Sequence, residues 1–225
     1  MAEVKEEKNI DISETLSKTE RYIEDNRKIF TISLVAIVVI VGGYFLYTKM
    51  FVGGKEKEAR AQMFIAEQYF RMDSLRLAAN GDSINPGFED IANDYGVSPS
   101  GNLAKLYLGM SHLRLGKYEE AIDALKDYDG DDMMTSSLAL SGIGDAYMEL
   151  NQADEAISYY EKASKTNPNN FTTPIILMKL GNAYEAQDRF EDAAQTYEKL
   201  KKDYPKTTEG MDADKYIARA KAKVK

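Results

Sequence analysis

A chain of 225 residues with 29 Lys and Arg against 37 Asp and Glu carries a formal charge of −8, and it has one histidine and neither cysteine nor tryptophan. The missing cysteines exclude thiolate zinc sites, CxxC redox chemistry, a cysteine nucleophile and a lipidated cysteine anchor. The acidic balance argues against a nucleic-acid partner, because phosphate binding needs a basic stripe to release counterions.

Near the start, Ile12, Leu16, Thr19, Tyr22 and Ile23 recur at three and four residues, so a short amphipathic helix is expected over Asp11 to Asn26. Its charges are of both signs and lack the Lys/Arg-rich face of a lipid-surface helix, so a protein contact and a solvated helix fit it equally well. Ile29 to Thr48 follows as 20 residues without a charge, between Lys28 and Lys49. At about 1.5 Å per residue such a helix is about 30 Å long, the thickness of a bilayer core. Phe30, Tyr44 and Tyr47 lie near its ends, where interfacial aromatics lie. A buried core helix is the bland alternative, but it would leave β-branched residues on every face in an otherwise polar chain. A cleaved signal peptide fits less well, because the apolar run is long, the preceding segment is mixed in charge and no A-x-A site follows. Flanking charges tie in number: Lys18, Arg21, Arg27 and Lys28 before the span, Lys49, Lys55, Lys57 and Arg60 after it. The pair Arg27-Lys28 at the boundary leans toward a cytoplasmic N-terminus.

Beyond the span the chain repeats itself. Gly109, Gly144 and Gly181 are each followed 12 residues later by an alanine: Ala121, Ala156 and Ala193. Leu108, Ile143 and Leu180 precede the glycines, and His112, Tyr147 and Tyr184 follow them at three residues. Tyr118 and Phe190 open second helices, Tyr160 and Tyr197 sit within them, and Pro168 and Pro205 end two repeats. This pattern, with a period near 34, resembles the tetratricopeptide repeat, a pair of antiparallel helices. The resemblance covers residues 100 to 207 or so. It departs from the usual pattern at Lys105, Leu140 and Leu177, which replace a tryptophan, and in the acidic link Asp127 to Thr135. Glycine and alanine are expected to meet where the two helices of a pair cross, Gly144 against Ala156 for instance, because small residues let backbones approach. A degenerate repeat is expected over residues 55–99, with one helix from Ala59 to Leu77, an extra loop from Ala79 to Gly87, and Phe88 to Tyr95 as its second helix. Three repeats then occupy about 102–135, 137–170 and 174–207, and residues 208–223, with Ala213, Tyr216, Ile217 and Ala220 on one face, cap the stack. The expected fold is therefore all-α: a tail (1–28), a single transmembrane helix (29–48), and a tetratricopeptide-repeat solenoid with a capping helix (55–225).

No constellation for chemistry emerges. His112, the single histidine, stands where its neighbours have Tyr147 and Tyr184, and it reads as a packing residue rather than a catalyst. Asp127, Asp129, Asp131 and Asp132 resemble the start of a calcium loop, but the glycine is misplaced and Leu138 stands where a bidentate Glu is needed. The sequence holds no nucleotide-binding glycine loop, no G-x-S-x-G and no H-E-x-x-H, so no enzyme activity, metal or cofactor is expected. What a repeat array offers is a concave groove lined by its first helices. Its expected lining is Leu103, Leu106, Met110 and Leu113, then Leu138, Ser141, Asp145 and Met148, then Ile175, Met178, Asn182 and Glu185, with Glu149 on an acidic rim. Such a groove suits an extended or helical segment of another protein, unless the chain's own first repeat or tail covers part of it. A lysine and asparagine carboxylate clamp is missing, since its positions hold Leu106, Ser141 and Met178.

The order of tail, uncleaved span and four repeats with a cap resembles the YfgM-like proteins, on the strength of Arg27-Lys28 and of Leu108-Gly109, Ile143-Gly144 and Leu180-Gly181. The resemblance implies a bacterial inner-membrane protein with its repeat domain in the periplasm. It also implies partners: the SecYEG translocon, a PpiD-like membrane-anchored chaperone and emerging polypeptides. The alternative is an adaptor that tethers cell-wall or outer-membrane machinery to the inner membrane.

Overall fold

The computed structural model describes residues 22–130 and 132–224. Most of the expected amphipathic helix (residues 11–21) and Asp131 of the acidic link lie outside the described residues. The chain divides into two units, the first ending at Val52 and the second running from Gly53 to Lys225.

In the first unit, residues 22–25 are helical and a turn at Asn26 leads into α1, Arg27–Leu46. None of its residues is buried. It is long and apolar enough to cross a membrane. Its polar side chains bond within the helix: the Thr31 hydroxyl donates to the Arg27 carbonyl at 2.8 Å. A π-helical segment, Tyr47–Val52, follows, with the Tyr47 and Phe51 rings stacked at 5.4 Å and Lys49 Nζ 5.6 Å from the centre of the Phe45 ring.

The second unit is all-helical among the described residues: α2 Gly53–Arg71, α3 Leu75–Asn80, α4 Phe88–Tyr95, α5 Pro99–Arg114, α6 Tyr118–Asp127, α7 Thr135–Glu149, α8 Ala153–Lys165, α9 Thr173–Ala186, α10 Phe190–Asp203 and α11 Thr208–Lys221. Successive helices pack in antiparallel pairs, and each pair packs on the next. Three apolar clusters form the core: around Phe88 and Ile91, around Leu125 and Ile143, and around Leu177, Tyr197 and Leu200.

One turn recurs four times. The first helix of each pair closes with an N–H to C=O bond spanning five residues: Ser74 to Tyr69, Lys117 to His112, Gln152 to Tyr147 and Arg189 to Tyr184, at 2.8 to 2.9 Å. The residue before each donor is left-handed: Asp73, Gly116, Asn151 and Asp188. This is the Schellman closure, which uses Gly, Asn or Asp because a bulkier side chain strains at positive φ. The recurrence sets the register of the first repeat, where Ala66 stands for the glycine and Ala78 for the alanine. The expected helix from Ala59 to Leu77 therefore breaks after Arg71, and the second helix of this repeat begins at α3 and resumes as α4. The loop between them turns on Asp82, whose carboxylate accepts from the Tyr69 hydroxyl and from the backbone N–H groups of Ile84 and Asn85. The Tyr69 hydroxyl, with those two N–H groups, holds the Asp82 carboxyl well below the usual carboxylate range.

A second signature recurs at two helix starts. Ser98 and Thr207 cap α5 and α11, accepting from the N–H groups of Gly101 and Gly210 at 3.1 Å. Both glycines are required by contact, because the carbonyls of Tyr95 and Tyr204 occupy the space a Cβ would need.

The repeat glycines add to the expected crossing. A Cβ at Gly144 would first meet the Tyr160 ring at 2.6 Å, and the Tyr197 ring stands likewise against Gly181. In the repeat of Gly109 the occupant is Leu125, with the Ala121 carbonyl 3.2 Å from the same position. The glycine thus makes room for the large side chain 16 residues on, while the alanine fills its own buried place. Ala156 is 0% exposed. Ala156→Phe is expected to cost about 1 to 3 kcal/mol by overpacking, read as a lower thermal midpoint; an unchanged midpoint would contradict this packing.

Candidate functional site

The first helices α5, α7 and α9 carry the groove positions, and the structure divides them into three kinds. Leu103, Met110, Leu113, Leu138, Met148 and Met178 are half-buried, and Ile175 is 47% exposed. Met110 and Leu113 face Gly142 of the next repeat, and Met148 and Met178 lie against the C-terminal core. Leu106 corrects the expectation: at 7% exposure it belongs to the core with Ile122, Leu125 and Ile143. Ser141, at the same place in the next repeat, is also buried. The neighbouring first helix covers this position, so an incoming segment could not reach it.

The polar members are tied into the fold. Asp145 accepts from the Tyr160 hydroxyl at 2.7 Å and from Lys179 Nζ at 2.6 and 2.9 Å. Asn182 Oδ1 accepts from the Tyr197 hydroxyl at 2.8 Å. Glu149 accepts from the Tyr118 hydroxyl at 3.2 Å, and Glu185 pairs with Arg219 of α11 at 2.8 Å. Nearby, Glu161 accepts from the Tyr184 hydroxyl at 2.6 Å. Burial and this carboxylate push the Tyr184 phenol up to about 12, and burial with Asp145 pushes Tyr160 higher still.

These pairings follow a rule that the sequence itself carries. Where the second-helix residue is Leu125, the residue after the glycine is Met110. Where it is Tyr160 or Tyr197, that residue is Asp145 or Asn182, an acceptor for the buried hydroxyl. The signal is the fixed spacing of 15 residues between the partners.

The middle repeat has an uneven charge. Residues 127–161 hold nine acidic residues and no Lys or Arg. Among the described residues, only Asp145 and Glu161 of these form ion pairs, with Lys179 and Lys165. Among the described residues, too, no group of three or more His, Asp or Glu is arranged to hold a metal.

His112 sits at 7% exposure, and among the described residues its Nδ1 has no hydrogen-bond partner. Burial, with Lys117 adding to it, lowers its pKa below the ordinary 6.5. Protons therefore bind the unfolded chain more readily, and stability falls as pH drops below 6.5 toward the folded value. The thermal midpoint should decline from pH 7 to pH 5, and His112→Phe should flatten that decline. An equal slope in the variant would remove His112 from the account.

Tetratricopeptide-repeat models match residues 135–206 and 90–132, together just over half of the chain. The chain is a tetratricopeptide-repeat protein. Among solved structures it is similar to the nearly identical TPR-like repeats assigned to a Podosopora anserina kinesin light chain. That match has a TM-score of 0.56 and 16% identity, and covers 75% of this chain and 87% of that one. A second structure of the same repeats matches equally. MamA matches with a TM-score of 0.50 and 18% identity, covering 73% and 91%. At these identities the likeness shows the fold alone. A search of curated proteins finds no match. Repeats of this family are protein-interaction scaffolds, which agrees with a site of surfaces rather than reacting groups.

Proposed function

We propose that the protein is a membrane-anchored interaction scaffold, an ancillary subunit of the SecYEG translocon that links it to a PpiD-like chaperone or to emerging chains. The observation that carries the reading is the division of the chain. One unit holds a helix with a long uncharged apolar run and no buried residue, and the other is a repeat array with its own core. The resemblance to YfgM-like proteins supplies the partners. The pair Arg27-Lys28 supports an N-terminus in the cytoplasm and a repeat domain in the periplasm of a single-pass inner-membrane protein.

Co-purification from mild detergent tests the reading. SecY and a PpiD-like chaperone should be retained; recovery of cell-wall or outer-membrane assembly proteins without the translocon would favour the envelope-adaptor role instead. A reporter active only outside the cytoplasm should work when fused after Lys225, and its activity at the N-terminus alone would invert the topology.

A further inference from the structure

Uncovered apolar surface lies at the rim where α7 and α9 begin. Met133 is 61% exposed and Phe171 is 72% exposed, and Met134 and Ile175 are exposed beside them. One side chain holds the two loops together: Asn169 Nδ2 donates to the Met133 carbonyl at 3.0 Å, and Asn169 Oδ1 accepts from the Phe171 N–H at 2.8 Å. Leu138, half-buried, lies one turn beyond Met134, its N–H donating to the Met134 carbonyl at 3.0 Å. Apolar side chains from two successive repeats thus form one patch on a braced framework. The exposed Phe and Met have no role in the core, and Met133 and Met134 belong to the stretch 127–161, which holds nine carboxylates and no Lys or Arg.

We infer that this rim is a docking surface for a short protein segment whose large apolar residues are flanked by Lys or Arg. The inference rests on the scaffold reading and moves its contact point from the groove floor to the rim. The apolar side chains of the segment cover Met133, Met134, Phe171 and Ile175, and its cations meet the unpaired carboxylates of the acidic stretch, Asp127 and Asp129 first. Charge complementarity selects the occupant. An acidic segment is repelled, and so is a membrane surface of anionic lipid. Methionine at the centre lets the patch adapt to apolar side chains of different shape.

The test uses the full chain in a neutral detergent and a benzophenone-bearing peptide of alternating leucine and lysine, with a leucine and glutamate peptide as control. Adducts should map to residues 127–138 and 169–175, at least fivefold more with the lysine peptide. Their yield should fall severalfold between about 50 mM and about 500 mM salt. Met133→Ser/Phe171→Ser should remove most of the adduct without lowering the thermal midpoint, since both side chains are exposed. Should that variant lose stability, Asp127→Asn/Asp129→Asn should weaken the lysine peptide alone. Adducts at Met148 and Met178 in place of the rim would overturn the inference and leave the scaffold reading standing. Equal yields from both peptides, no adduct, or adducts indifferent to both variants would overturn it too, while the co-purification result judges the scaffold reading separately.

Discussion

Replacing Tyr197 with alanine is expected to destabilise the repeat unit by about 4 kcal/mol, the ordinary cost of deleting a buried aromatic ring. Tyr197 is fully buried, its ring fills the space left open by Gly181, and it lies 5.4 Å from the Tyr216 ring of α11. The cavity cannot close easily, because Gly181 has no side chain to offer and Ala193, Ala213 and Ala220 around it are small and already buried. For a unit of this size the loss should lower the thermal midpoint by about 10 °C. Tyr197→Phe separates ring from hydroxyl. It should cost only about 1 kcal/mol, because its partner Asn182 is exposed and can turn to water. Hydrogen exchange should show α11 losing protection first, since this ring is a main apolar contact of the cap. Equal costs for the two variants would mean that the hydroxyl, not the ring in the glycine's space, holds the cap.

How far the sequence can be read depends on what each pattern encodes. Apolar periodicity and the glycine-to-alanine spacing reveal that helices pair, because burial of one face leaves its mark on every turn. Helix pairs, the capping helix and the apolar span are legible on those grounds. The partner of each glycine is not, since spacing along the chain does not say which side chain crosses over it; in sequence Tyr160 and Tyr197 are mid-helix aromatics without a seat. The break after Arg71 escapes the sequence for a related reason. Asp73 looks like an ordinary polar residue, although it takes the left-handed turn that Gly116 and Asn151 take in later repeats. The groove is legible only in outline. Leu106 and Met178 look alike in sequence, and it is packing with residues of α6 and α7 that buries the former. The acidic rim looks free because tyrosine hydroxyls and distant cations, supplied by other helices, cannot be assigned from a local pattern.

The Asp145 junction carries the next largest effect. Met110 and Asp145 hold the same place in successive repeats, and each faces the next first helix: Met110 meets Gly142, and Asp145 meets Lys179. One junction is apolar and tight, while the other is polar and bridged. Asp145→Met should cost about 2 kcal/mol, because it leaves the buried Tyr160 hydroxyl and the Lys179 ammonium without their acceptor. Lys179→Met should cost no more than about 1 kcal/mol, since both partners of the ion pair are partly exposed and water screens it. Pairing Asp145→Met with Tyr160→Leu recreates the Met110 and Leu125 arrangement, so the double variant should fall short of the summed single costs by about 1 kcal/mol or more. Salt separates the contributions further. The Lys179 effect should shrink at high ionic strength, and the Tyr160 effect should persist, because its hydroxyl is buried against α7. Strict additivity of Asp145→Met and Tyr160→Leu would show that the hydroxyl has another acceptor, and the pairing rule drawn from the three repeats would then fail at its middle member.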